Sequence, residues 1–147
     1  MEKDIENDVK HLNSFLRGEL SAVETYDKAL EKIDNPQLGD TLRELRQSHH
    51  ERARLLEEKV RQLGGEPSRD SGPWGGFAKL VQSGAKLLGE KAAISALEEG
   101  EDHGRDDYKR DLDELSADCQ AFVRGQLLPE QQRTHDTLSR IKKQLQH

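Results

Sequence analysis

Along four stretches of the chain, apolar residues step by three or four, the spacing of a single buried helix face. The first stripe runs Ile5, Val9, Leu12, Leu16, Glu19, Val23, Tyr26 and Leu30, and predicts a helix over residues 4–33. Asp34-Asn35-Pro36 ends it, with Asn35 placed to cap the next helix and Pro36 in that helix's first turn. Leu38, Leu42, Leu45, His49, Ala53, Leu56, Val60 and Leu63 predict the second helix over 37–63, stopped by Gly64-Gly65-Glu66-Pro67. Residues 64–76 read as a loop long enough to cross the length of a bundle, with Trp74 and Phe77 as its apolar anchors. A third helix is expected over 77–112, weakened early by Gly84 and Gly89. After a turn near Asp113 to Ser116, with Ser116 as N-cap, a fourth spans 117–145 and carries Val123, Leu127, Gln131, Thr134, Leu138, Ile141 and Leu145. Pro129 lies inside it and should kink or bulge it. Two short turns and one long middle connection predict an all-α four-helix bundle, a single domain over residues 1–147.

Polar residues interrupt these seams. A heptad of Leu87, Ile94, Glu101 and Tyr108 repeats an earlier one of Ile5, Leu12, Glu19 and Tyr26, each with a glutamate where an aliphatic side chain belongs. The two segments superpose at an offset of 82, which also matches Gly18 to Gly100 and Leu30 to Leu112. Burying an ionised carboxylate costs several kcal/mol unless something compensates it, so a carboxylate repeated in both halves demands a partner. Tyr26 and Tyr108 lie two turns beyond their glutamates, too far to share a ligand with them, and are expected to bond across the bundle.

Composition narrows the classes. With 32% hydrophobic and 35% charged residues, the chain suits a bundle with a narrow apolar stripe. A net charge of -6 with interspersed signs speaks against a nucleic-acid partner. The single Cys119 leaves no intrachain disulfide and fits a reducing compartment. With no signal-peptide pattern at the start and no membrane-length apolar run, a cytoplasmic location without membrane contact is expected.

Residues equally far from a turn share a level in an antiparallel pair. Counting from turns near 35 and 115 brings Glu19, His49, Glu98, Glu101 and Gln131 to mid-bundle, with His135 highest unless the irregularity at Pro129 lowers it. His50 lies about 100° round the helix from His49, so His49 is the expected inward histidine. Two histidines and two or three carboxylates would make a transition-metal donor set, with Fe first and Zn or Mn as alternatives. The rival is a purely hydrogen-bonded Glu–His network.

These motifs carry a resemblance. Glu19, the Glu98-x-x-Glu101 pair, His49 and His135 resemble the ligand pattern of the ferritin-like superfamily, which includes the rubrerythrins. LNSFLRGELSAVETY, Gly-Gly-Glu-Pro, ALEEGEDHG and LLPEQQRTHDTL resemble an uncharacterised bacterial branch of ferritin-like four-helix proteins. The resemblance implies a ferritin-like bundle with a metal site at Glu19, His49, Glu98, Glu101, Gln131 and His135. The glutamates expected three residues before each histidine are Arg46 and Gln132, which leaves a degenerate site. Binding or buffering of a transition metal is the first expectation, and a homodimer is the candidate assembly. A structural or stress-related bundle with a vestigial site comes second, and a ferroxidase or peroxidase-like enzyme third.

Overall fold

The structure, a computed structural model, describes residues 2–71 and 89–145. Expectations for Trp74, Phe77, Gly84, Leu87 and the start of the third helix fall outside these residues. Helix α1 is Glu2–Leu30, α2 is Pro36–Gln62 and α3 is Glu90–Asp111. The fourth helix, α4, is built of three consecutive pieces: α-helical Ala117–Phe122, a π-helical turn at Val123–Leu127, and α-helical Leu128–Leu145.

Local chemistry sets these boundaries. The Asn35 side chain accepts from the Gln37 and Leu38 N–H groups, and Pro36, which lacks an N–H, stands at the first position of α2. At the far end of α2, Gly64 takes a φ of 84°, and the Gly64 and Gly65 N–H groups return to the Arg61 and Val60 carbonyls. Gly65 also lets the chain approach α1: a Cβ there would lie 2.8 Å from a Val9 methyl. Ser116 caps α4 by accepting from the Cys119 N–H, while its own N–H and hydroxyl donate to Asp8 of α1. Within α4, Leu128 N–H reaches back five residues to the Val123 carbonyl, immediately before Pro129. The wide turn accommodates a residue that has no N–H to give and whose ring crowds the preceding turn.

Contacts trace the topology. The connection after α2 runs along α1: Asn13 donates to the Glu66 carbonyl and accepts from Ser68 N–H, Arg17 donates to the Ser68 hydroxyl, and Ser71 donates to Glu24. Helix α3 then starts beside the α1–α2 turn, where Glu90 accepts from the Asp34 and Asn35 N–H groups. Helices α1 and α3 are therefore antiparallel, as are α2 and α4, which is the four-helix arrangement with a long middle crossover that the apolar spacing predicts. Ile5, placed in the first stripe, is 42% exposed.

The apolar interior is in two parts. One, toward the α1–α2 turn, gathers Tyr26, Leu42, Leu45, Ile94, Leu97 and Leu138. The other, toward the opposite end, gathers Leu12, Leu16, Leu56, Tyr108, Val123 and Leu127. The layer of Glu19, His49, Arg52, Glu101, Gln131 and Thr134 lies between them, all buried.

Candidate functional site

Each side chain of this layer comes from the inward stripe of its helix: Glu19 from α1, His49 and Arg52 from α2, Glu101 from α3, and Gln131 and Thr134 from α4. His49 is the hub. Its Nδ1 lies 2.7 Å from Glu19 Oε1 and its Nε2 2.7 Å from Glu101 Oε2. A neutral imidazole donates from one nitrogen only, so hydrogen bonds to two carboxylates require the imidazolium. Burial and Arg52 push the His49 pKa down, but Glu101 and Glu19 push harder and the net shift is upward.

Arg52, one turn further along α2, is the residue that sequence reasoning missed. It is only 1% exposed. Its Nε lies 3.1 Å from Glu19 Oε2, an ion-pair distance without hydrogen-bond alignment. Nη2 reaches Thr134 Oγ1 at 3.2 Å and lies 2.7 and 2.9 Å from the two ring nitrogens of His49. Nη1 is buried with no hydrogen-bond partner among the described residues. A clue was present: Arg52 stands three residues after His49 and four before Leu56, on the same face.

The carboxylates are satisfied on every side. Tyr26 donates to Glu101 at 2.5 Å and Tyr108 to Glu19 at 2.9 Å, so each half's tyrosine serves the other half's glutamate. Thr134 donates to Glu101 Oε1 at 2.9 Å, and the Gln131 amide donates to the Glu101 backbone carbonyl at 3.1 Å. Although burial alone would raise both carboxyl pKa values, Glu101 is drawn down to about 2 by His49 and then Arg52. Glu19 is lowered by Arg52 and then His49. Burial, and then the facing carboxylate, lift both tyrosines well above the ordinary phenol value. Two carboxylates, one guanidinium and one imidazolium sum to zero.

The offset of 82 between the halves extends to the other helix pair, where Arg52 meets Thr134 and Ser48 meets Glu130 at that same separation. Within this symmetry His49 corresponds to Gln131 and Arg52 to Thr134. The two halves thus share the glutamate and the tyrosine, but only the first supplies cations.

The other expected site residues stand apart. Glu98 pairs with Lys142 at 3.0 Å on the margin of α3. His135, one residue round from Thr134, turns from the central layer to Asp102 at 2.6 Å, beside Arg105 at 3.0 Å. The π turn before Pro129 does not bring it inward. His50 is exposed. Of the six expected residues, the fold brings together Glu19, His49, Glu101 and Gln131.

Whether this layer fits a metal ion follows from its geometry. A metal needs donors aimed at one point, whereas Glu19 and Glu101 approach opposite nitrogens of a single ring, with Arg52 packed against that ring. Among the described residues, no three His, Cys, Asp or Glu side chains are grouped so as to hold a metal ion. A divalent ion added to an already neutral buried layer would leave uncompensated positive charge in the core. In this arrangement the residues do not fit a metal. Against the layer, Glu19, His49, Tyr108, Gln131 and Gly18 border a cavity of about 20 Å³, the size of one water molecule.

An antiparallel four-helix bundle with a long crossover and a carboxylate-bearing core layer is a ferritin-like bundle. The fold is similar to a solved structure from Bacillus anthracis str. Ames, titled as ferritin like, diiron-carboxylate proteins, with a TM-score of 0.77 and 15% identity over 97% of this chain and 99% of that one. The family model described as "Domain of unknown function (DUF2383)" matches residues 7–114, and the chain belongs to that family. No curated protein matches the sequence. No described helix is long and apolar enough to cross a membrane.

Proposed function

We propose that this protein is a non-enzymatic ferritin-like bundle whose core charge is balanced internally, and that it serves as a structural helical module rather than as a metal carrier. The buried guanidinium of Arg52 carries this reading. It supplies, beside His49, the positive charge that Glu19 and Glu101 require. A carboxylate layer needs a metal only when nothing else neutralises it, and here two side chains of α2 do so. Gln131 and Thr134 are engaged with Glu101, which adds to its neutralisation from within the layer.

A second reading is binding or buffering of a transition metal, iron first and zinc or manganese after it, in a homodimer. The fold shared with a protein titled as diiron-carboxylate favours it. Ferroxidase or peroxidase-like chemistry would require that second reading. Elemental analysis of protein purified without chelators separates the two. Sub-stoichiometric Fe, Mn and Zn are expected, and about one or two metal ions retained per chain through gel filtration would overturn the first reading.

A further inference from the structure

We propose that the small cavity beside the central layer is a built site for one water molecule, and that it is the port through which the layer exchanges protons with solvent. The cavity, about 20 Å³ in volume, has two unlike ends. Its inner end is closed by Glu19, His49, Tyr108 and Gln131, all buried. Its outer end lies between α1 and α3, where Ser14, Gly18, Gly104 and Asp107 are partly exposed. No side chain covers the α1 wall there, and a Cβ on Gly18 would meet nothing within 4 Å.

The chemistry of the inner end says what fills it. Gln131 is 3% exposed and spends its amide nitrogen on Glu101, but its amide oxygen accepts no hydrogen bond from any described residue. A buried amide oxygen requires a donor. Glu19 beside it is another acceptor: Oε1 faces His49 and Oε2 receives Tyr108, and a carboxylate oxygen can accept a second bond. The Ser14 hydroxyl, at the outer end, can donate. A molecule that gives two hydrogen bonds, receives one and fits about 20 Å³ is water. It is also neutral, as suits a layer whose charges already sum to zero; on that point alone the inference rests on the reading above. Such a water joins buried side chains to solvent while the bundle stays closed. Backbone N–H groups inside the helices exchange only when the helices open, whereas a side chain bordering the cavity exchanges through it.

The test is NMR on the full chain with two readouts. One is hydrogen–deuterium exchange of the Gln131 side-chain amide; the other is rotating-frame Overhauser cross-peaks between water and the Phe15 ring, which also borders the cavity. In wild type, each rate scaled to its intrinsic value, the Gln131 amide should exchange about 10-fold or more faster than the backbone N–H of buried Leu97 in α3. The Phe15 ring should show a bound-water cross-peak. Gly18→Ala should change neither readout, since its Cβ has space. Gly18→Leu and Ser14→Leu, plugs from the α1 wall, should remove the cross-peak and slow Gln131 exchange toward the rate of Leu97. Ammonium chloride, a cation close to water in size, should leave the Gln131 resonances unmoved. A wild type whose Gln131 amide exchanges no faster than Leu97, or whose Phe15 ring sees no water, overturns the proposal. Folded plugged variants that keep wild-type exchange overturn it as well. If the plugs fail to fold, the wild-type and Gly18→Ala measurements decide alone. A saturable ammonium shift overturns water as the occupant and tells against the neutral layer too, whereas the other failures leave that reading standing.

Discussion

At the scale of single residues, the central layer turns on who donates to whom. Tyr26 and Tyr108 are the only two tyrosines in the chain, and both give their hydroxyl protons to buried glutamates. Burial and the facing carboxylates raise both well above 10.0, so phenolate absorbance in the folded protein should appear only at higher pH than for free tyrosine, together with base unfolding. Ionisation of either tyrosine while far-UV dichroism remains native would contradict the geometry. Replacing either with phenylalanine should cost about 1.5–3 kcal/mol, the range for a hydrogen bond to a charged group, measured by urea denaturation. The pH dependence has a definite sign. Glu101 is held near 2 against an ordinary 4.5, so its contribution is present above pH 4.5 and is lost as pH falls toward 2. His49 is held above its ordinary 6.5, so its contribution is complete below pH 6.5 and lost as pH rises through its folded value. The stability gap between wild type and His49→Gln should therefore be level just below pH 6.5 and shrink at higher pH. A gap that widens as pH rises toward 6.5 and stays level above it would mean a neutral His49. Glu19, His49, Glu101 and Gln131 were legible in the sequence because each breaks an apolar seam. Arg52 offered only its spacing from His49 and Leu56, a weak signal, since an arginine so placed ordinarily lays its stem on the core and its head in water. Only the opposing carboxylates, from other helices, reverse that preference.

Elements show a similar division between local signals and tertiary decisions. Caps and stops were readable at Asn35, Pro36, Gly64 and Ser116, because capping chemistry is a property of a few adjacent residues. The irregularity around Pro129 was readable as well. Its form, a π turn from Val123 to Leu127, depends on how α4 keeps both Val123 and Gln131 facing the core. His135 is expected inward from its level and from the resemblance to the ferritin-like ligand pattern. Level says nothing about angle, and the face of α4 is set by Leu127, Gln131, Thr134 and Leu138. Two glycines give a contrasting pair of tests. A Cβ on Gly125, exposed in the π turn, would meet nothing within 4 Å, so Gly125→Ala should raise stability by about 0.5–1 kcal/mol. Gly64, at a φ of 84°, should lose about 1 kcal/mol on the same substitution. Urea midpoints moving in the same direction for both would contradict the assigned backbone.

For the whole molecule, the ferritin-like bundle splits its apolar interior into two parts around a charged layer, and the internal repeat places one glutamate of each half in that layer and one tyrosine on either side of it. Breaking the layer from the acidic side should be costly even with chelator present. Glu19→Gln with Glu101→Gln leaves Arg52 and His49 buried without their carboxylates, and a loss of about 3–5 kcal/mol is expected. An unchanged or raised stability would mean that the carboxylates repel each other in the apo-protein and await a metal. The central claim, that Arg52 and His49 already neutralise the layer, is tested most directly by calorimetric titration of the chelator-treated wild type with Mn(II), Fe(II) under anaerobic conditions, and Zn(II). No saturable heat that depends on Glu19 and Glu101 is predicted. Binding of one or two ions per chain, abolished by replacing those glutamates with glutamine, would contradict it.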